Sequence, residues 1–227
     1  MRNSMIDTVV ISGGNIQNGF ALDFLREINK EREGKILRLI AADRGLEFFM
    51  QTGIKPDLVV GDFDSLSPEG ARYLDDLENT EIVRLRPEKD DSDTQSAVNL
   101  AMEQGAKDIL LLGVTGNRVD HLMANLGLLV LGRQKGVHIA MADKNNYMSL
   151  VESGTVLNRD EQFGKYVSFF PVGGDVEGLT LEGFKYPLYR HCLTVSDSGL
   201  TVSNEISAEK AHLIYSEGTL LMIMSRD

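Results

Sequence analysis

Over its first two-thirds the chain alternates short runs that are apolar on both faces with longer segments of helical spacing. No other feature restricts the fold as much. The runs place strands over 8–11, 36–41, 58–60, 81–85, 109–112 and 138–142, and the spacing places helices over 19–33, 44–52, 68–77, 94–104 and 121–135. A strand such as Ile109-Leu110-Leu111-Leu112 has no polar face to turn to water, so helices must cover both sides of its sheet. The expected fold class is α/β, a doubly wound, mostly parallel, Rossmann-like sheet. Local signals agree. Ser67-Pro68 reads as a helix cap with proline at the first turn, and Ser92 followed by Gln95 has capping-box spacing. Asp120 is expected to cap the helix that Gly136 ends, with Leu122, Leu126, Leu129 and Val130 as its core stripe.

After Asn145 the pattern changes. Short apolar runs at 147–151, 166–171, 176–181, 200–202 and 219–224 are separated by Gly, Asn, Asp and Ser, without an amphipathic helix of useful length. Residues 146–227 are therefore expected to form a small antiparallel β-sandwich domain, distinct from an α/β domain over residues 1–145.

Acidic side chains collect where each expected strand hands over to the next helix. Asp43 follows the second strand, Asp62 and Asp64 the third, Asp90, Asp91 and Asp93 the fourth, and Asp120 the fifth. Ligands of open α/β sheets bind beyond the carboxyl ends of the strands. Each aspartate alone also fits a turn or a helix cap, but so many like charges at one edge repel unless cations neutralise them. Oxygen donors without a His or Cys cluster point to magnesium and not zinc. The loop Gly113-Val114-Thr115-Gly116-Asn117-Arg118 joins small residues to an arginine, which suits phosphate, and Ser12-Gly13-Gly14-Asn15 follows the first strand in the same way.

The net charge of −11 argues against a nucleic-acid partner, and no apolar run is long enough for a membrane span. A single cysteine, Cys192, allows no internal disulfide, and the first residues show no basic-then-apolar leader, so a cytoplasmic location is expected.

At these motifs the chain resembles the thiamin pyrophosphokinase family. Pro56-Asp57-Leu58-Val59-Val60-Gly61-Asp62-Phe63-Asp64-Ser65 matches the family's P-D-x-x-x-G-D-F-D-S segment, and Asp90-Asp91-Ser92-Asp93 its D-x-[ST]-D. Gly113 to His121 matches G-x-x-G-x-R-x-D-H, while Gly183-Phe184-Lys185-Tyr186 and Ser203-Asn204-Glu205 match motifs of the β part. The resemblance runs in order along nearly the whole chain. It implies an ATP- and Mg2+-binding α/β domain followed by a thiamin-binding β-sandwich. It also implies a homodimer with the vitamin between subunits, and transfer of pyrophosphate from ATP to the thiamin hydroxyl. On that resemblance Asp62, Asp64 and Asp93 serve magnesium and catalysis, and Asp90 and Asp120 share their acidic pocket. Asp43, Arg44, Thr115, Gly116, Arg118 and Asp120 fall to ATP, and Tyr186, Ser203 and Asn204 to thiamin. Two positions depart from the pattern. Arg44 stands where many members have glycine, and either brings a cation to the phosphates or turns away; Tyr186 stands where some have tryptophan. From the residues alone, a pterin-alcohol pyrophosphokinase and a non-catalytic nucleotide-binding regulator stay open as alternatives.

Overall fold

The apolar runs of the first unit become six parallel strands: β1 (Thr8–Ile11), β2 (Arg38–Ala42), β3 (Leu58–Gly61), β4 (Glu81–Arg84), β5 (Asp108–Leu112) and β6 (His138–Ala142). The computed structural model describes residues 5–32, 37–86, 88, 90–116, 118–197 and 199–227, and its chain divides into two units between Lys144 and Asn145. Glu33 and Ile36, at the ends of two expected elements, lie outside the described residues, as does Asn117.

The strands lie in the order β4-β3-β2-β1-β5-β6. Sequential strands step outward from β1 as far as β4; the chain then crosses back to lay β5 on the other side of β1. The order reverses between β1 and β5, and the carboxyl ends of strands at such a switch point are where open α/β sheets receive ligands. Every residue of β1 and β5 is buried, as runs without a polar face require, whereas the edge strand β4 is largely exposed. Helices α1 (Asn18–Glu31), α2 (Leu46–Thr52) and α3 (Pro68–Asp75) pack in succession. Helix α4 (Asp93–Glu103) covers β1, β2 and β3, and α5 (Val119–Lys135) lies on β6. Among the described residues no helix is long and apolar enough to cross a membrane.

The helix signals hold at Ser67, whose Oγ accepts from Gly70 N at 3.1 Å, and at Ser92, whose Oγ accepts from Gln95 N at 3.2 Å. Gly136 ends α5 in the left-handed region. The start of α5 differs from expectation. Arg118 is its N-cap residue, and Asp120 lies inside the first turn. Arg118 engages the Asp120 carboxylate, which is then not spent on capping. The core stripe is also rotated from the expected one: Asn125, Leu128, Leu129 and Gly132 are buried, while Leu122, Leu126 and Val130 are only half-buried. Asn125 is the reason. Its Nδ2 donates to the buried Val114 carbonyl at 3.0 Å, which turns that face of α5 inward and ties the helix to the loop after β5.

In the second unit β7 (Asn146–Val151), β13 (Leu220–Ser225) and β9 (Tyr166–Pro171) form an antiparallel β7-β13-β9 layer. A four-stranded antiparallel sheet, β11-β10-β12-β8, comprises β8 (Thr155–Asn158), β10 (Val176–Glu182), β11 (Leu188–Leu193) and β12 (Lys210–Ile214). Phe169 of β9 meets Phe184, just after β10, edge to face at 5.6 Å, within a core that includes Val167, Leu179, Leu181 and Leu213. The expected strand at 200–202 is instead a turn. Leu200 and Val202 face outward at 45% and 43% exposure, and the residue between them, Thr201, donates its hydroxyl to the Phe169 carbonyl.

Replacing Asn125 by Leu leaves the Val114 carbonyl buried without a donor. The variant is expected to lose about 1–3 kcal/mol of stability, read as a lower urea midpoint with an unchanged slope. A midpoint equal to that of the parent would contradict this account of α5.

Candidate active site

Two strand ends and one helix start bring acid to the carboxyl edge of the parallel sheet. Asp43 ends β2 and opens a short 3-10 turn, with φ 46°. Asp62 and Asp64 follow β3 on either side of Phe63, whose φ is 66°. Asp93 is the first residue of α4, where the exposed N–H groups and the helix dipole favour a negative charge. Left-handed backbone at an aspartate and at an aromatic residue is strained, and strain of this kind persists only where surrounding structure fixes it.

Contacts within the cluster show what each carboxylate does. Ser65 donates its hydroxyl to Asp43 Oδ2, whereas Asp43 Oδ1 is buried and has no hydrogen-bond partner among the described residues. Asp64 N lies 3.3 Å from Asp62 Oδ1. The Asp62 charge, then partial burial, then Asp43 and Asp93 push the Asp64 carboxyl above its ordinary value, so these four groups share one field. Among the described residues no three His, Cys, Asp or Glu side chains converge on a ready-made ion cage. A cation bridging these oxygens would therefore be completed by water or by oxygens of a ligand, as magnesium commonly is.

Two glycine-bearing loops meet at the switch point. Gly14 N donates to Gly113 O at 2.8 Å and Ser12 N to Leu112 O at 2.8 Å. Gly113 has φ 69°, and a Cβ there would collide with the Ser12 carbonyl, so the loops approach backbone to backbone. Ser12 Oγ and Thr94 Oγ1 share a hydrogen bond of 2.6 Å, which fastens the loop after β1 to the first turn of α4, next to Asp93. In the loop after β5, Thr115 is half-buried and Gly116 exposed.

The other expected residues fall into different settings. Arg118 and Asp120 are both exposed and form a two-pronged pair, with Nε to Oδ1 at 3.1 Å and Nη2 to Oδ2. Hydrogen bonding from Arg118 holds the Asp120 carboxyl down at about 2. Arg44 turns to Glu47, with Nε to Oε2 at 3.3 Å, and is 58% exposed. Asp91 accepts from Gln95 Nε2 at 2.6 Å and Asn99 Nδ2 at 3.1 Å, so it buttresses α4, and Gln95 reaches to Asp91 in place of the Ser92 backbone. Asp90 is exposed ahead of the Ser92 cap.

In the second unit Asn204 is 1% exposed, and its side chain is spent on its neighbours. Its Oδ1 accepts from Tyr186 N at 3.0 Å and Glu205 N at 2.9 Å, and its Nδ2 donates to Tyr186 O at 2.7 Å. Asn204 thus clamps the backbone of Tyr186, whose ring stands 55% exposed. Ser203 is exposed with φ 57°, and its N–H donates to Ser168 Oγ at 2.9 Å. Lys185 Nζ lies 5.5 Å from the Tyr186 ring centre and 2.8 Å from Glu205 Oε1. Cys192 donates its thiol to Glu177, which together with burial pushes the thiol up, the reverse of nucleophile activation.

Comparison with known proteins bears on the whole chain. Residues 34–141 match the model of the thiamin pyrophosphokinase catalytic domain, and residues 154–220 that of the thiamin pyrophosphokinase vitamin B1 binding domain. The thiamine pyrophosphokinase of Bacillus subtilis is 33% identical over 188 residues, covering 83% of this chain and 87% of that protein. The chain belongs to the thiamin pyrophosphokinase family. The crystal structure of the Bacillus subtilis family member superposes with a TM-score of 0.82 at 29% identity, over 97% of this chain and 99% of the other. The Geobacillus thermodenitrificans thiamin pyrophosphokinase gives 0.78 at 29% identity over 97% of each chain. The thiamin pyrophosphokinase of Candida albicans, at 17% identity, has the same fold with a TM-score of 0.78 over 98% of this chain and 90% of the other.

Thr94 and Arg84 also adjoin the acidic edge without being marked in the sequence: Thr94 Oγ1 holds Ser12 Oγ, and the Arg84 guanidinium stands over the Phe63 ring. Thr94 was legible as the residue after Asp93 on the inner side of the first turn. Arg84 was legible only once the β3–β4 register was known.

The raised Asp64 carboxyl carries a signed consequence. A group whose folded pKa exceeds its unfolded value costs stability as pH rises through the folded value. Metal-free Asp64→Asn is therefore expected to melt at or above the parent's Tm at neutral pH, with the gap closing at mildly acidic pH. Thermal melts in a chelator check this, and a lower Tm for the variant at neutral pH would contradict it.

Proposed function

We propose that the protein transfers the pyrophosphoryl group of ATP to the hydroxyl of thiamin, giving thiamin diphosphate and AMP, with Mg2+ as the required metal. One observation carries the reading: four aspartates sharing a field stand beside two glycine-bearing loops at the switch point of a parallel sheet. That is where such a sheet receives a nucleotide, and where phosphate brings the charge that makes a metal indispensable. The family membership and the vitamin B1 binding match over residues 154–220 support thiamin as the acceptor.

The residues fit the metal. Asp43 Oδ1 is a buried acceptor without a donor among the described residues, and the Asp64 carboxyl is raised by acidic neighbours; both conditions are relieved by a hard divalent cation. Asp62, Asp64 and Asp93 would hold it. When bound, magnesium would supply charge neutralisation for the phosphate oxygens. The protein's own contribution is positional. The backbones of the loops after β1 and β5, with Thr115 and Gly116 in the second of them, would face the phosphates. Arg118, pre-set by Asp120, offers a planar cation that suits phosphate. The thiamin hydroxyl oxygen attacks the β-phosphorus while its proton passes to an aspartate of the acidic pocket, the bond from that phosphorus to the α,β-bridging oxygen breaks, and AMP leaves. Such transfers depend on alignment and charge neutralisation more than on covalent help. Tyr186, clamped by Asn204 and flanked by Ser203, presents an aromatic face suited to the cationic thiazolium.

We also propose a homodimer working in the cytoplasm without a nucleic-acid partner. Val119 and Met123 of α5, 69% and 62% exposed, support an apolar contact between copies, and the net charge of −11 speaks against a polyanion.

Incubation with ATP, Mg2+ and thiamin should yield AMP and thiamin diphosphate in equal amounts, followed by chromatography. Asp64→Asn should lower turnover at least about 100-fold while remaining folded. Product formed only with a pterin alcohol would overturn the acceptor, and no turnover despite nucleotide binding would favour a regulator. Tyr186→Ala is expected to raise the KM for thiamin about 5- to 30-fold with little change for ATP. Equal losses for both substrates would make Tyr186 a packing residue.

A further inference from the structure

The turn that presents Asp62 and Asp64 is strained at its centre, where Phe63 has φ 66°. An aromatic residue holds that conformation only when its surroundings leave it no better choice. Two neighbours supply the constraint. A Cβ on Gly61 would stand 3.1 Å from Phe63 Cε1, so the ring folds back over a position where a side chain would be crowded. Arg84 is the register partner of Gly61 on β4, and register partners project to the same face of a sheet. Its guanidinium carbon stands over the Phe63 ring, 5.1 Å from the centroid. On the other side of the same glycine, the added Cβ would meet Asp43 Cα at 3.0 Å. Asp43, Gly61 and Arg84 thus stand side by side across the ends of β2, β3 and β4, and the Phe63 ring lies between Gly61 and the guanidinium.

We propose that Arg84 is a positioning residue for the metal site: by capping the Phe63 ring it holds the left-handed turn that directs Asp62 and Asp64 to one cation. The inference rests on the reading of that site as a divalent-metal centre. Arg84 is exposed at the end of an edge strand, so it has no core to fill. Its planar guanidinium is the cation best suited to lie flat on a ring. Without it the Phe63 backbone relaxes toward the extended or right-handed region. Asp62 and Asp64 then swing apart, and the two carboxylates no longer grip a single ion.

The test uses Mn2+ as the probe, titrated into the full-length chain and followed by the electron paramagnetic resonance of the free ion. Arg84→Met should weaken Mn2+ binding about three- to tenfold with a Tm within about 2 °C of the parent, and Arg84→Lys should recover part of the loss. In a Phe63→Gly background, where glycine takes a positive φ unaided, Arg84→Met should change nothing further. A purely structural role would lower the Tm and leave the affinity of the folded protein intact. Parent-like Mn2+ affinity in Arg84→Met, or the same loss in the Phe63→Gly background, would overturn the inference while leaving the metal site standing. A parent protein that binds no Mn2+ would remove the reading of the site and this inference together.

Discussion

Repulsion of the Asp64 carboxylate by Asp62, Asp43 and Asp93 is the constraint that the acidic edge of the α/β unit has to accommodate. Carboxylates left to themselves would separate, so each is anchored through backbone that cannot move independently. Asp43 and the Asp62–Asp64 turn are fixed by adjacent parallel strands, and Asp93 by the capped start of α4. The cost is visible as left-handed backbone at Asp43 and Phe63 and as the buried Oδ1 of Asp43, unpaired among the described residues. A sheet with every β1 and β5 residue buried is rigid enough to impose this. On the proposed reading the tension is useful, because a divalent cation would resolve it and a nucleotide would supply the remaining oxygens.

The second unit solves a different problem, the exposure of a large aromatic ring in a fixed direction. A buried side-chain amide is an economical device, since Asn204 satisfies both the N–H and the carbonyl of Tyr186 from within the core. The ring therefore stands in solvent on a backbone that cannot drift. Ser203, left-handed beside it, follows from the same turn, in which Thr201 reaches the Phe169 carbonyl. The positions proposed to meet thiamin thus divide into an aromatic face and the residues that aim it.

Much of the α/β unit was legible because its physics is local. Runs such as 109–112 have no polar face, and Ser67 and Ser92 have the chemistry of caps, so strands and helix starts followed directly. The acid-bearing loops were legible for the same reason: each sits one turn beyond an apolar run. Asp120 was misread as a cap because its partner, Arg118, lies outside the usual capping pattern. The inward face of α5 was misplaced because a buried Asn125 looks polar until its carbonyl partner is known. In the β unit, β12 lies outside the expected strands although it carries plain alternation, with Ala211 and Leu213 buried between exposed neighbours. Strand β11 is mostly exposed and pairs with β10 through register shifts, so no periodicity marks it. The run at 200–202 is apolar yet faces outward, and only the tertiary turn around Thr201 explains it. Arg84 could not have been found from sequence, since its role depends on a cross-strand register.

The central claim is that this acidic edge takes up a metal together with a nucleotide. The most direct measurement is the Tm of the parent protein with an ATP analogue that cannot be cleaved, in the presence of Mg2+ or of a chelator. The account predicts modest stabilisation by Mg2+ alone and a much larger rise with Mg2+ and nucleotide together. With nucleotide in the chelator it predicts little or none, because the added phosphates would then meet bare carboxylates. An equal rise with nucleotide in the chelator would contradict it, and would mean that the aspartates do not hold the metal that brings ATP to the sheet.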